Sequence, residues 1–120
     1  LKNETSKAPL ARFFVLAGFA AFVAPVLLTP TSALAVEHTV VQKGKAFSVE
    51  KLEVKVGESV VFANEDDTVH NVFSRSETKK FTFPVQKVGE KSSVTFDKAG
   101  TVEVRCAIHP KMKMVIDVKP

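Results

Sequence analysis

From residue 36 onward the apolar residues recur at every second position in short runs rich in Val, Phe and Thr, with Gly or polar clusters between them. A period of two places alternate side chains on opposite faces of an extended chain, so this region predicts half-buried β-strands and no helix of useful length. The runs are His38–Gln42, Ala46–Val49, Leu52–Val56, Ser59–Asn64, Lys80–Phe83, Ser92–Phe96, Thr101–Cys106 and Met112–Val118. About eight strands at even spacing predict a single all-β domain of the sandwich or Greek-key barrel type. Turns are expected at Lys43-Gly44-Lys45, Val56-Gly57-Glu58, Val88-Gly89-Glu90 and Lys98-Ala99-Gly100, where glycine can take positive φ. The polar stretch Ser74–Lys79 has the composition for one helical turn.

The first 35 residues have a different character. Lys2, Lys7 and Arg12 precede an uncharged apolar run from Phe13 to Leu28, and Ala33-Leu34-Ala35 follows as a small-x-small pattern. That order is the layout of a secretory signal, with cleavage expected after Ala35 and the mature domain spanning 36–120. The run falls short of the ~20 residues that span a bilayer comfortably, and Pro25 and Pro30 interrupt its end, so a retained membrane anchor is the lesser alternative. Export places the mature chain in the periplasm with no stable membrane association. Residues 1–35 hold three of the 17 basic and one of the 13 acidic side chains, leaving 14 against 12 and a net charge of +2 for the mature domain. Interspersed charges of that balance do not make the basic stripe that nucleic acid requires.

Composition narrows the chemistry. Hydrophobic residues make up 45% and charged residues 25% of the chain, the ordinary globular range, which excludes a disordered tail or a collagenous repeat. Trp and Tyr are absent and all ten aromatics are Phe, so neither phenol nor indole chemistry is available. A single cysteine, Cys106, permits no internal disulfide and no zinc site built on thiolates alone. A free thiol in an oxidising compartment is better accounted for as a metal ligand than as a small hydrophobe.

The segment Cys106-Ala107-Ile108-His109-Pro110-Lys111-Met112 sets a thiolate, an imidazole and a thioether on one short loop between two strands. These soft and borderline donors suit copper. Trigonal His2Cys ligation with a weak axial Met is the arrangement of electron-transfer copper sites, and the remaining imidazole is expected from His70. Asn71, next in sequence, can bond across to the cysteine loop and tune the sulfur. The acidic triplet Glu65-Asp66-Asp67 before His70 reads as a solvated turn without a role.

The segment Val69-His70-Asn71-Val72-Phe73, the strand Gly100–Cys106 and the Cys-x2-His-x2-Met loop resemble the cupredoxins, the small blue copper proteins, over about Gly44 to Val118. The loop spacing is similar to that of the amicyanin-like members; plastocyanins and pseudoazurins carry longer His-to-Met spacings. The resemblance implies a Greek-key β-sandwich holding one type 1 copper that cycles between Cu(I) and Cu(II). It maps His70 and His109 as imidazole ligands, Cys106 as the thiolate and Met112 as the axial thioether, with Met114 the competing thioether.

The function so implied is an exported one-electron carrier, not an enzyme. Its partner would be a redox protein such as a c-type cytochrome or a dehydrogenase, met transiently by a monomer. The exposed edge of His109 among Ala107, Ile108 and Pro110 would pass the electron, and Lys111 and Lys113 predict an acidic docking face. Periplasmic copper storage or delivery with the same residues is the alternative. Cleavage after Ala35 would also leave Val36-Glu37-His38 at the new N-terminus, where an amine and a third-position histidine can wrap Cu(II) or Ni(II) in square-planar geometry.

Overall fold

The computed structural model describes residues 17–30 and 34–120. The basic residues Lys2, Lys7 and Arg12, the first part of the apolar run and Ala33 of the expected cleavage pattern lie outside them. The chain divides into two units, 1–31 and 32–120. In the first, residues 17–30 form neither helix nor strand, and Phe19, Phe22, Leu27 and Leu28 are exposed. No helix among the described residues is long and apolar enough to cross a membrane.

The second unit is all-β. Its nine strands are β1 (Glu37–Lys43), β2 (Ala46–Phe47), β3 (Lys51–Lys55), β4 (Ser59–Asn64), β5 (Val72–Ser76), β6 (Lys79–Thr82), β7 (Lys91–Thr95), β8 (Gly100–Cys106) and β9 (Lys113–Lys119). One sheet has the order β2-β1-β4-β7 and the other β3-β9-β8-β5-β6. Two pairings are parallel, β1 with β4 and β3 with β9, and the rest are antiparallel.

The segment expected to hold a helical turn is instead a hairpin. Ser74–Ser76 ends β5, Glu77 and Thr78 turn, and β6 starts at Lys79, with Ser76 opposite Lys79 and Phe73 opposite Thr82. Of the inward positions of β5 only Val72 is apolar, the other being Ser74, so the strand lacks a run of hydrophobic alternation. Its β structure comes from pairing on both sides, with β6 and with β8.

The inward residues of both sheets meet in one core that includes Val40, Val60, Phe62 and Phe96 from the first and Val72, Val104, Met114 and Ile116 from the second. Phe62 is its hub. Fully buried, it packs against Phe47, Phe81 and Phe83 with ring centroids 6.0, 6.3 and 5.9 Å away, offset or edge-on as aromatic quadrupoles prefer. Aromatic burial by Phe alone thus fills the sandwich without a polar ring atom to satisfy.

The chain reverses between β1 and β2 through Gly44 and Lys45, at φ 61° and 55°, with Lys43 opposite Ala46. Two central residues at positive φ define the type I′ turn, whose twist suits a two-residue hairpin. Lys45 accepts a conformation that side chains disfavour, and its N–H is thereby aimed at Asp66, 2.7 Å away.

Truncation of the hub tests how far the core carries the domain: Phe62→Ala is expected to lower unfolding free energy by about 3–5 kcal/mol in denaturant titrations of the metal-free protein.

Candidate metal centre

The strands β4 and β8 end, and β5 and β9 begin, at the same end of the sandwich, where the β4–β5 and β8–β9 connections face one another. His70 lies in the first connection. It is anchored by a two-way backbone bridge to Gln86, His70 N–H to Gln86 O at 3.1 Å and Gln86 N–H to His70 O at 2.7 Å. Cys106 is the last residue of β8, and His109 lies in the second connection.

That second connection is closed twice. Met112 N–H donates to His109 O at 2.9 Å, and Cys106 N–H to Met112 O at 3.3 Å. The inner closure is a β-turn with Pro110 in its second position, where the fixed φ of proline belongs. Met112 consequently ends the turn instead of opening a strand, and β9 begins one residue later than the alternation predicts.

His70, Cys106 and His109 come together with their donor atoms facing. Cys106 Sγ is 3.6 Å from His70 Nδ1 and 3.7 Å from His109 Nδ1, and the two Nδ1 atoms are 3.2 Å apart. The centre of that triangle lies about 2 Å from each atom, within the range of metal–imidazole and metal–thiolate bonds. His70 and Cys106 are buried, at 0% and 2% exposure, while His109 is only partly so. Met112 is 2% exposed and stands outside the apolar core cluster, whereas Met114 belongs to that cluster and pairs across with Val104.

Asn71 bonds across to the cysteine loop as expected, and does so through its main chain. Its backbone N–H donates to Cys106 Sγ at 3.3 Å and its carbonyl accepts from Ala107 N–H at 2.9 Å. The side chain turns the other way, Nδ2 donating to Phe83 O at 2.6 Å. The thiolate contact therefore belongs to the main chain, and the amide fixes its position.

Asp66 overturns the reading of the acidic triplet as a solvated turn. Only 7% exposed, its Oδ2 accepts from Lys45 N–H at 2.7 Å and lies 2.9 Å from His70 Nε2, while Oδ1 accepts from Asp67 N–H at 2.9 Å. The Lys45 amide first, then the His70 ring and the Asp67 amide, hold the carboxyl far below the usual carboxylate range and outweigh the opposing effect of burial. The sequence carries one trace of this contact, the four-residue spacing of Asp66 and His70 within a single loop.

His38 occupies a strand position. It is the second residue of β1, and its Nε2 is paired with Glu58 Oε2 at 2.7 Å, far from the three-donor cluster in sequence and structure. Beside His109 a shallow cavity of about 400 Å³ opens, lined by Lys45, Ile108, His109, Pro110 and Lys111.

A two-sheet β-sandwich with one buried thiolate and two imidazoles at its end defines a small copper protein of the cupredoxin class. The sequence pattern of the copper binding proteins of the plastocyanin/azurin family matches residues 34–119, and the chain belongs to that family. It is 35% identical over 68 residues to methylamine utilization protein MauL from Methylorubrum extorquens, a match covering 56% of this chain and 60% of that relative. The chain thus spans about 60% of the curated relative's length. Among solved structures, an amicyanin variant in its Cu(I) form shares 27% identity at a TM-score of 0.64, covering 71% of this chain and 82% of that one. The Cu-containing nitrite reductase from Thermus scotoductus shares 31% identity at 0.67 over 80% of this chain, but only 26% of the enzyme. A purple cupredoxin from Nitrosopumilus maritimus, 22% identical, has the same fold at 0.62 over 68% of this chain and 99% of its own.

The split role of Asn71 yields a separable outcome. In Asn71→Ala the Phe83 carbonyl loses its donor, and thermal or denaturant unfolding is expected to show a loss of about 1–2 kcal/mol. The backbone contact to sulfur survives, so the copper-loaded variant is expected to keep its visible absorption maximum nearly unchanged.

Proposed function

We propose that the protein is an exported one-electron carrier in which His70, Cys106 and His109 would hold a copper ion, with Met112 supplying the thioether. The observation that carries this reading is the preformed triangle of two imidazole nitrogens and one sulfur, buried except along the His109 edge. Bound copper supplies a single-electron Cu(I)/Cu(II) couple. The protein's part is to hold three donors within 3.7 Å of one another, exclude water from the thiolate and present one ligand to the surface. Met112 is preferred to Met114 because it is buried at the loop closure without joining the core.

His109 is the residue at which a partner can approach. Around it Ile108 and Pro110 supply a small apolar contact, and Lys45 and Lys111 line the same depression. An acidic redox partner, such as a c-type cytochrome or a dehydrogenase, fits that surface in a brief, salt-sensitive encounter. The burial of His70 and Cys106 supports a carrier over a storage or delivery protein, whose metal must exchange readily with an acceptor. The reading is of a monomer without enzymatic activity, acting in the periplasm once residues 1–35 have been removed.

Addition of Cu(II) to the mature protein is expected to produce an intense blue thiolate-to-copper band that Cys106→Ala abolishes. Met112→Ala is expected to alter the band and the reduction potential. Met114→Ala should instead cost about 2–5 kcal/mol of stability and leave the band in place. A colourless product from the unmodified protein would reject the carrier reading.

Docking is tested by reversing charge. Lys111→Glu combined with Lys113→Glu is expected to slow electron exchange with an acidic cytochrome by about tenfold or more at low ionic strength, with the difference shrinking as salt rises. Equal rates at all salt concentrations would remove the lysines from the encounter.

A further inference from the structure

Asp66 is the buried charged group that the ligand assignment leaves unused. We infer that Asp66 is a positioning residue for the copper couple: its carboxylate holds His70 with the ring proton on Nε2 and the Nδ1 lone pair toward Cys106 and His109, and its negative charge favours Cu(II) over Cu(I). The inference rests on the assignment of His70 as a ligand in the proposed function.

Asp66 accepts main-chain N–H bonds at both oxygens, from Lys45 at Oδ2 and from Asp67 at Oδ1, the surroundings of a carboxylate. A carboxylate only accepts, so the proton between Asp66 Oδ2 and His70 Nε2, 2.9 Å apart, belongs to the nitrogen. A neutral imidazole protonated on Nε2 presents an unprotonated Nδ1, the form that binds a metal. The opposite tautomer would set two acceptors against each other at Nε2 in a nearly dry site. It would also place a proton on Nδ1, the atom that faces Cys106 and His109, and so block that nitrogen as a ligand. The carboxylate therefore selects the tautomer that leaves His70 Nδ1 free to ligate.

The brace is itself held. Lys45 N–H reaches Asp66 Oδ2 from the type I′ turn, and Asp66 N–H donates to Asn64 Oδ1 at 3.0 Å. Lys45 meets the site twice: its N–H fixes the carboxylate, and the residue also lines the depression beside His109. The side chains of His70 and Asp66 are 0% and 5% exposed, so solvent screens little of the interaction. A fixed negative charge one imidazole away from the metal position stabilises the more positive, oxidised ion more than the reduced one.

Asp66→Asn keeps the size of the side chain and removes its charge. Cu(II) affinity is expected to fall by about 10- to 100-fold, the usual effect of losing such a partner of a metal-bound histidine, and Cu(I) affinity by less. Each tenfold change in that ratio raises the potential by about 59 mV for one electron, read by redox titration of the blue band. In the unmodified metal-free protein, long-range 15N NMR is expected to find the His70 proton on Nε2. An unchanged potential in folded Asp66→Asn, or a His70 proton on Nδ1 in the unmodified protein, overturns the inference. If Asp66→Asn does not fold, the tautomer of the unmodified protein decides. A missing blue band in the unmodified protein defeats the carrier reading, and the tautomer still decides the role of Asp66.

Discussion

Five of the six buried polar side chains among the described residues, Gln42, Asn64, Asp66, His70 and Gln86, are linked by hydrogen bonds around the site, which depends on the bonds that make their burial tolerable. Gln86 is the centre of this set. Its Nε2 donates to Phe62 O at 3.0 Å, its Oε1 accepts from Gln42 Nε2 at 2.8 Å, and its backbone brackets His70. Asn64 Nδ2 reaches Thr68 O and Gln86 O, at 2.9 and 3.1 Å, and so shapes the connection that carries His70. Gln42 Oε1 alone has no partner among the described residues. Because each member orients the next, losing one leaves a buried donor or acceptor unmet as well as removing its own bond, a cost of about 1–3 kcal/mol for each such group.

This arrangement explains how two loops can hold a site in place. The His70 connection is fixed by a buried amide network, and the Cys106–Met112 connection by two backbone closures and a proline-led turn. The two connections are joined directly, through Asn71 N–H on the cysteine sulfur and Ala107 N–H on the Asn71 carbonyl. Donors held in place before an ion arrives need little rearrangement when its charge changes, which favours the proposed one-electron role.

The legible part of the sequence was what local pattern encodes. Alternation located eight of the strands because each turns Val, Phe, Ile or Met toward the core on one face, with only partial burial in β2 and β6, and the Cys-x2-His-x2-Met loop exposed its chemistry by donor type alone. The strand β5 was not legible, since Ser74 occupies a buried position and no local period marks it. Parallel pairing of β1 with β4 leaves no local trace either, because it joins residues about twenty positions apart. Asp66 was hidden for the same reason. Its exposure depends on a backbone N–H 21 residues earlier, and an acidic triplet looks solvated until that donor is in place. Gln42 and Gln86 likewise resemble ordinary polar residues, and only the tertiary fold buries them together.

The two imidazoles thus sit in opposed environments that divide the work of the site. His70 is fully buried, bonded through its main chain to Gln86 and through its ring to a carboxylate, so its position is set wholly by the protein. His109 is partly exposed beside Ile108, Pro110 and Lys111, so its environment changes when another surface covers it. In the proposed carrier, His70 would be the ligand that does not respond to a partner and His109 the one that meets it. Lys45, in a left-handed conformation, touches both halves, its N–H on Asp66 and the residue lining the His109 depression. A glycine there would relieve the strain and keep the amide but lose the cation at the mouth, which is a physical reason for a lysine to occupy a position whose backbone favours glycine.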